Sequence, residues 1–150
     1  MYEELQEQIA FEEGRELHVY KCTAGHRTIG IGHNLDAKPK MRGWTIPDTI
    51  TDKECDAIFT VDLQETIESL TKAYPNLRLL TPARRDALLN MAFQMGTAGV
   101  MKFKKMLAAL DDKDWQRAKG MALDSAWAKQ TPKRAARVAY QIMTGEYYKV

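Results

Sequence analysis

A chain of 150 residues with 45% hydrophobic and 28% charged side chains is long enough to bury roughly two-thirds of its unfolded surface in one domain. That balance excludes intrinsic disorder. The net charge of +2 is too small to imply a nucleic-acid partner, and no apolar run reaches the roughly 18 residues that insert into a bilayer.

The start, MYEELQEQIAFEEG, is acidic and amphipathic, unlike the basic opening and unbroken apolar core of a signal peptide. Leu5, Ile9 and Tyr2 recur at helical spacing with Phe11 beside them, and Gly14 is the residue type of a left-handed cap, so a helix is predicted over residues 2–13. Leu17 and Val19 alternate with His18 and Tyr20, and Gly25 precedes a second strand-like run, Arg27 to Ile31. A hairpin directly after a helix follows from this pattern.

Pro39, Gly43 and Pro47 break residues 34–50 into loop with short structure at most. Thr51 and Glu54 then stand in capping-box spacing, opening a long helix over 52–72 whose apolar stripe is Cys55, Phe59, Leu63, Ile67 and Leu70. Pro75 ends it. Thr81 with Pro82 starts another helix, carrying Ala87, Leu88, Met91, Ala92 and Met95 and stopping at Gly96. Further helices are predicted over Val100–Leu110 and Asp114–Leu123, and Thr131 with Pro132 opens a last one to about Met143, closed by Gly145. The expected fold is α+β and predominantly helical, one domain over 1–150. Its small hairpin lobe, near 14–50, and its helical lobe, 73–150, are joined by helix 52–72 with a cleft between them, a common place for a ligand.

Glu13 falls at the carbonyl end of its helix, where the macrodipole and neighbouring Glu12 both disfavour ionisation, the environment of a general acid. Taken alone it reads as a merely solvated glutamate. Its surroundings change that reading: eight residues separate it from Cys22 and five more separate Cys22 from Thr28, so a helix end and two strands direct three polar side chains into one space.

The segment EEGRELHVYKCTAGHRTIGIGH, residues 12–33, resembles the catalytic hairpin of the phage-type lysozymes (endolysins) of glycoside hydrolase family 24. Their motif is glutamate, eight residues, aspartate or cysteine, five residues, threonine. The resemblance continues through LNMAFQMG (89–96), GVMKFKKML (99–107) and DSAWAKQTPKRAARV (124–138), weakening over 35–50. It implies hydrolysis of the β-1,4 bond between N-acetylmuramic acid and N-acetylglucosamine in peptidoglycan, with inversion at the anomeric carbon. Glu13 would be the acid, Cys22 the second catalytic residue and Thr28 a holder of the attacking water. Arg134 would pair with Glu13, and His33 with Asp62 of the long helix. Asn34, Phe93, Gln94 and Trp127 would contact substrate, while Met106 and Met121 stand where the family has polar contact residues.

Cys22 departs from the aspartate form of the motif. An ordinary thiol, with a pKa near ~8.5, is mostly uncharged at neutrality. As a thiolate it serves as base toward water, giving inversion, or as nucleophile, giving retention. Both remain open at this stage.

The three histidines show no metal-ligand spacing, and the chemistry needs neither metal nor cofactor. The basic cluster Lys102, Lys104 and Lys105 reads most simply as a solvated helix face. Rival readings are a lytic transglycosylase, a cysteine-dependent peptidoglycan peptidase or amidase using Cys22 with His26 or His33, and a non-catalytic peptidoglycan-binding protein. Two cysteines make no disulfide framework, which suits a reducing compartment. The resemblance implies a monomer that accumulates in the host cytoplasm and reaches periplasmic peptidoglycan once a hole-forming phage membrane protein opens the membrane.

Overall fold

A computed structural model describes residues 1–150. Helix α1 (Glu3–Glu13) buries Leu5 and Ile9, with Tyr2 at its N-cap rather than inside it. Phe11, expected beside that stripe, is 55% exposed, because two residues past Ile9 is more than half a turn away from the buried face. Gly14 has φ 76 and ψ 171. The positive φ needs glycine, but the extended ψ differs from the expected left-handed cap, since the chain must run straight into a strand.

That strand, β1 (Glu16–Lys21), pairs antiparallel with β2 (Arg27–Gly30), which pairs with β3 (His33–Asn34). Tyr20 lies opposite Thr28. Past Asn34, the segment up to Ile50 holds the two-residue strands β4 (Lys40–Met41) and β5 (Trp44–Thr45) and a single bridge from Thr49 back to His18. Helix α2 (Asp52–Ala73) opens with the complete capping box: Glu54 N donates to Thr51 Oγ1 at 3.1 Å, and Thr51 N donates to Glu54 Oε1 at 2.9 Å.

A 3-10 turn (Pro75–Leu79) leads to α3 (Pro82–Met101), the central helix, buried continuously from Asp86 to Ala92. Gly96, with φ 82 and ψ 160, breaks it as expected, but helical geometry resumes on the far side as far as Met101. The single helix expected over Val100–Leu110 is therefore two pieces. The break falls at Phe103 (ψ 58), whose ring packs edge-on against Trp127 at 6.1 Å, and α4 (Lys104–Asp111) starts after it.

Helix α5 (Trp115–Leu123) follows its cap Asp114. The short α6 (Ala126–Gln130) is capped by Ser125 and carries too few residues to show a periodicity. Last, α7 (Pro132–Thr144) ends on Gly145 in the left-handed conformation.

The architecture is α+β and mainly helical, lysozyme-like, with the hairpin at one end and helices α3–α7 at the other. Helix α2 contacts both, meeting β2 and β3 on one side and α3 on the other. One core cluster of 31 buried residues runs from Ile29, Ile31 and Ile50 near the hairpin to Val138 and Ile142 in α7. No helix is long and apolar enough to cross a membrane.

Candidate active site

Glu13 is the last residue of α1, and its side chain is 20% exposed. Arg134, almost buried, donates from Nη1 to Glu13 Oε2 at 2.7 Å. The same guanidinium donates from Nε to Asn90 Oδ1 at 3.0 Å and from Nη2 to the Asn90 carbonyl at 3.4 Å. A planar fork held at two points by Asn90 fixes where it presents its third donor, so one carboxyl oxygen of Glu13 is anchored. The other, Oε1, accepts no hydrogen bond from the chain.

Oε1 rests instead against Gly32, where φ is +66 and a Cβ would approach it to 2.6 Å. Gly32 of GIGH thus has a reason that the strand pattern alone did not supply. Glu12 does not crowd its neighbour with free charge. Arg137 grips it through Nε and Nη2 at 2.8 and 2.6 Å, and the Tyr148 hydroxyl donates to it at 2.9 Å. Burial pushes its pKa up, but these hydrogen bonds and the guanidinium charge outweigh that and hold it below the ordinary carboxylate range. The repulsion expected from Glu12 is compensated.

Cys22 sits where β1 turns, its N–H donating to the His26 carbonyl at 3.0 Å and its carbonyl accepting from Gly25 N at 2.8 Å. The backbone amide of His26 favours the thiolate and outweighs burial, and with help from the Ala24 and Gly25 backbone and the Thr28 hydroxyl holds the Cys22 thiol below its ordinary pKa. Thr28 is buried, and its hydroxyl donates to the His26 carbonyl at 3.0 Å, leaving its oxygen able to accept. Tyr20, opposite Thr28 and two residues before Cys22, shares their face of the sheet. Burial first, then the charges of Glu13, Cys22 and Glu16, push its phenol pKa up. Tyr20 therefore stands within electrostatic reach of both the carboxyl and the thiol.

His33 is buried, with Nδ1 2.6 Å from Asp62 Oδ2 and Nε2 2.8 Å from the Lys38 carbonyl. Both ring nitrogens face acceptors, the pattern of an imidazolium donating twice. Burial alone lowers its pKa, and the hydrogen bond and charge of Asp62 more than reverse this. No nitrogen is left for Cys22. His26 is exposed, with Nδ1 4.0 Å from Asp36.

Asn34 accepts at Oδ1 from the Asp36 and Ala37 N–H groups, so its oxygen shapes the turn. With Gly32, His33 and Phe93 it lines a recess of about 130 Å³ between the hairpin, α2 and α3. Gln94 accepts at Oε1 from the Trp127 indole N–H at 2.8 Å, and Trp127 is only 8% exposed. The predicted residues thus fall into four pairs: Glu13 with Arg134 at the end of α1, Cys22 with Thr28 on the His26 carbonyl, Asn34 with Phe93 in the recess beside Gly32, and Gln94 with Trp127 through their hydrogen bond. His33 and Asp62 brace the wall behind them.

Sequence reasoning missed Gly32, Tyr20 and Asn90. Asn90 carried a signal: with Asp86 it is a polar residue at i, i+4 on an otherwise apolar helix face.

A carboxyl at a helix end and a thiol in the hairpin that follows it, beside a recess between the hairpin and helices α2 and α3, fit a lysozyme-like architecture. The model of the Phage lysozyme family matches residues 10–139. The chain is 39% identical over 157 aligned positions to the pre-baseplate central spike protein Gp5 of Enterobacteria phage T4, covering 93% of this chain but only 27% of that one. It is 34% identical to probable T4-type lysozyme 1 of Dictyostelium discoideum, covering 97% and 96% of the two chains. A peptidoglycan hydrolase, gp36, of Pseudomonas phage phiKMV is 27% identical over 77% of this chain and 12% of its own. The chain belongs to the phage lysozyme family.

Proposed function

We propose that this chain hydrolyses the β-1,4 bond between N-acetylmuramic acid and N-acetylglucosamine of peptidoglycan. The supporting observation is the asymmetric Glu13 carboxyl, with one oxygen anchored by Arg134 at 2.7 Å and the other unbonded at the hairpin mouth. Protonated Glu13 gives its proton to the glycosidic oxygen as the C1–O bond breaks, and Arg134 stabilises the carboxylate left behind. A water held by Thr28 adds to C1 from the opposite face and yields its proton to the Cys22 thiolate. Bulk water then restores both protonation states. The anomeric configuration inverts, so the first product is the α-anomer.

The His33 geometry weighs against a cysteine peptidase, because that imidazole is spent on Asp62 and Lys38. Family membership supports a wider reading: a monomer held in the host cytoplasm, released when a hole-forming membrane protein opens the path to the wall.

Digestion of purified peptidoglycan, followed by mass spectrometry and by NMR of the fresh anomer, tests the mechanism. Reducing ends with initial α configuration are expected, and Glu13→Gln should lower the rate by roughly 10²–10⁴-fold. Anhydro sugars or released peptides as the main product would overturn the reading, as would a full rate after alkylation of Cys22.

A further inference from the structure

Past the left-handed turn at Gly145 the chain folds back over α3 and α1. Tyr147 donates its hydroxyl to the buried carboxyl of Asp86 in α3. Tyr148 is held at three places: its carbonyl accepts from Gln8 Nε2 at 3.2 Å, its ring centre lies 5.8 Å from the Arg137 guanidinium, and its hydroxyl donates to Glu12 Oε2 at 2.9 Å. Burial first, then Glu12, push the phenol pKa up, so the hydroxyl keeps its proton.

Asn90 stands between this hydroxyl and Arg134. Its Oδ1 accepts from Arg134 Nε at 3.0 Å, while its Nδ2 is buried and has no hydrogen-bond partner. A buried amide donor without an acceptor is costly. The Tyr148 oxygen is close enough for Asn90 to favour its phenolate form, which makes it the acceptor that the amide group meets.

The hydrogen bonds around Asn90 have a single polarity. Glu12, gripped by Arg137, is a carboxylate and only accepts. The Tyr148 proton is therefore spent on Glu12, and the phenol oxygen offers Asn90 a lone pair. That lone pair suits Nδ2 and repels Oδ1, which turns Oδ1 toward Arg134, a side chain that only donates. Arg134 in turn presents Nη1 to Glu13 Oε2 at 2.7 Å. An amide turned over would set its NH₂ group against the guanidinium, and Arg134 would lose its seat.

We propose that Tyr148 is a positioning residue for the proton donor: its hydroxyl fixes which way the Asn90 amide faces, and Asn90 fixes the guanidinium that anchors Glu13. The inference rests on the glycosidase reading above, in which Glu13 gives up the proton.

The test compares Tyr148→Phe with Tyr147→Phe in the full chain, with reducing ends released from soluble glycan oligomers as the rate and thermal unfolding as the check on folding. Each variant removes one hydroxyl from the same tail and keeps the ring. Tyr147→Phe reports what loosening the tail does by itself, since its hydroxyl serves Asp86. In Tyr148→Phe kcat should fall about three- to tenfold with KM unchanged, the range one hydrogen bond supplies. Tyr147→Phe should lower Tm and keep the wild-type kcat. In an Asn90→Ser background, Tyr148→Phe should lower kcat no further, because the group through which it acts is gone.

A wild-type kcat in Tyr148→Phe, a loss confined to KM, an equal kcat loss in Tyr147→Phe, or the same loss with and without Asn90 overturns the inference while leaving the glycosidase reading standing. If the wild type yields no reducing ends, the glycosidase reading fails and this inference falls with it.

Discussion

Glu13 shows how a single side chain is aimed. Arg134 holds Oε2, and the bare backbone of Gly32 gives Oε1 room to face the hairpin mouth. A methyl group at position 32 would collide with the carboxyl and turn it away, and the left-handed φ adds local strain. Gly32→Ala is expected to lower kcat by about 10²-fold with little change in KM, the cost of a displacement near 1 Å at a reacting group. Steady-state kinetics on a soluble glycan oligomer checks this. A variant with wild-type kcat would show that the carboxyl is free to reorient and that the glycine acts only in the turn.

Among the elements, α2 is the one whose beginning was most legible beforehand. Thr51 and Glu54 announce the capping box locally, and both bonds form. Thr51→Ala should destabilise the protein by about 1 kcal/mol, measured as a shift in the urea midpoint at constant m-value. Local signals of this kind also located α1, the hairpin, the break at Gly96 and the start of α7 at Pro132.

The failures have a common cause. At the break Phe103 packs against the distant Trp127 ring, and Asn90 and Asp86 are buried within α3. Neighbouring residues mark Asn90 and Asp86 only as polar positions on an apolar face and say nothing of what Phe103 meets. For the candidate site, spacing and resemblance single out Glu13, Cys22 and Thr28, which the structure sets at the end of α1 and in the hairpin. The free Oε1 beside Gly32 and the meeting of Tyr148, Glu12 and Asn90 emerge only when segments far apart in the chain are brought together.

At the scale of the molecule, His33 and Asp62 pin the hairpin to α2. The folded pKa of His33 is raised above its ordinary value. The associated stability is therefore complete at a pH below the ordinary histidine value, about 6.5, and is lost as pH rises through the higher folded value. His33→Asn should cost roughly 3–5 kcal/mol near pH 5, where it leaves a partly buried carboxylate unpaired, and less near pH 9. Urea titrations of both proteins across that range give the comparison. A difference independent of pH would mean that the pair acts through packing alone.

The ties that orient Glu13 and its neighbour span nearly the whole chain: Arg134 lies 121 residues after Glu13, and Tyr148 lies 136 residues after Glu12. A ribosome adding roughly 5–20 residues per second makes Glu13 seconds before the groups that aim it. A nascent polypeptide that stops short of Arg134 lacks the guanidinium that anchors this carboxyl.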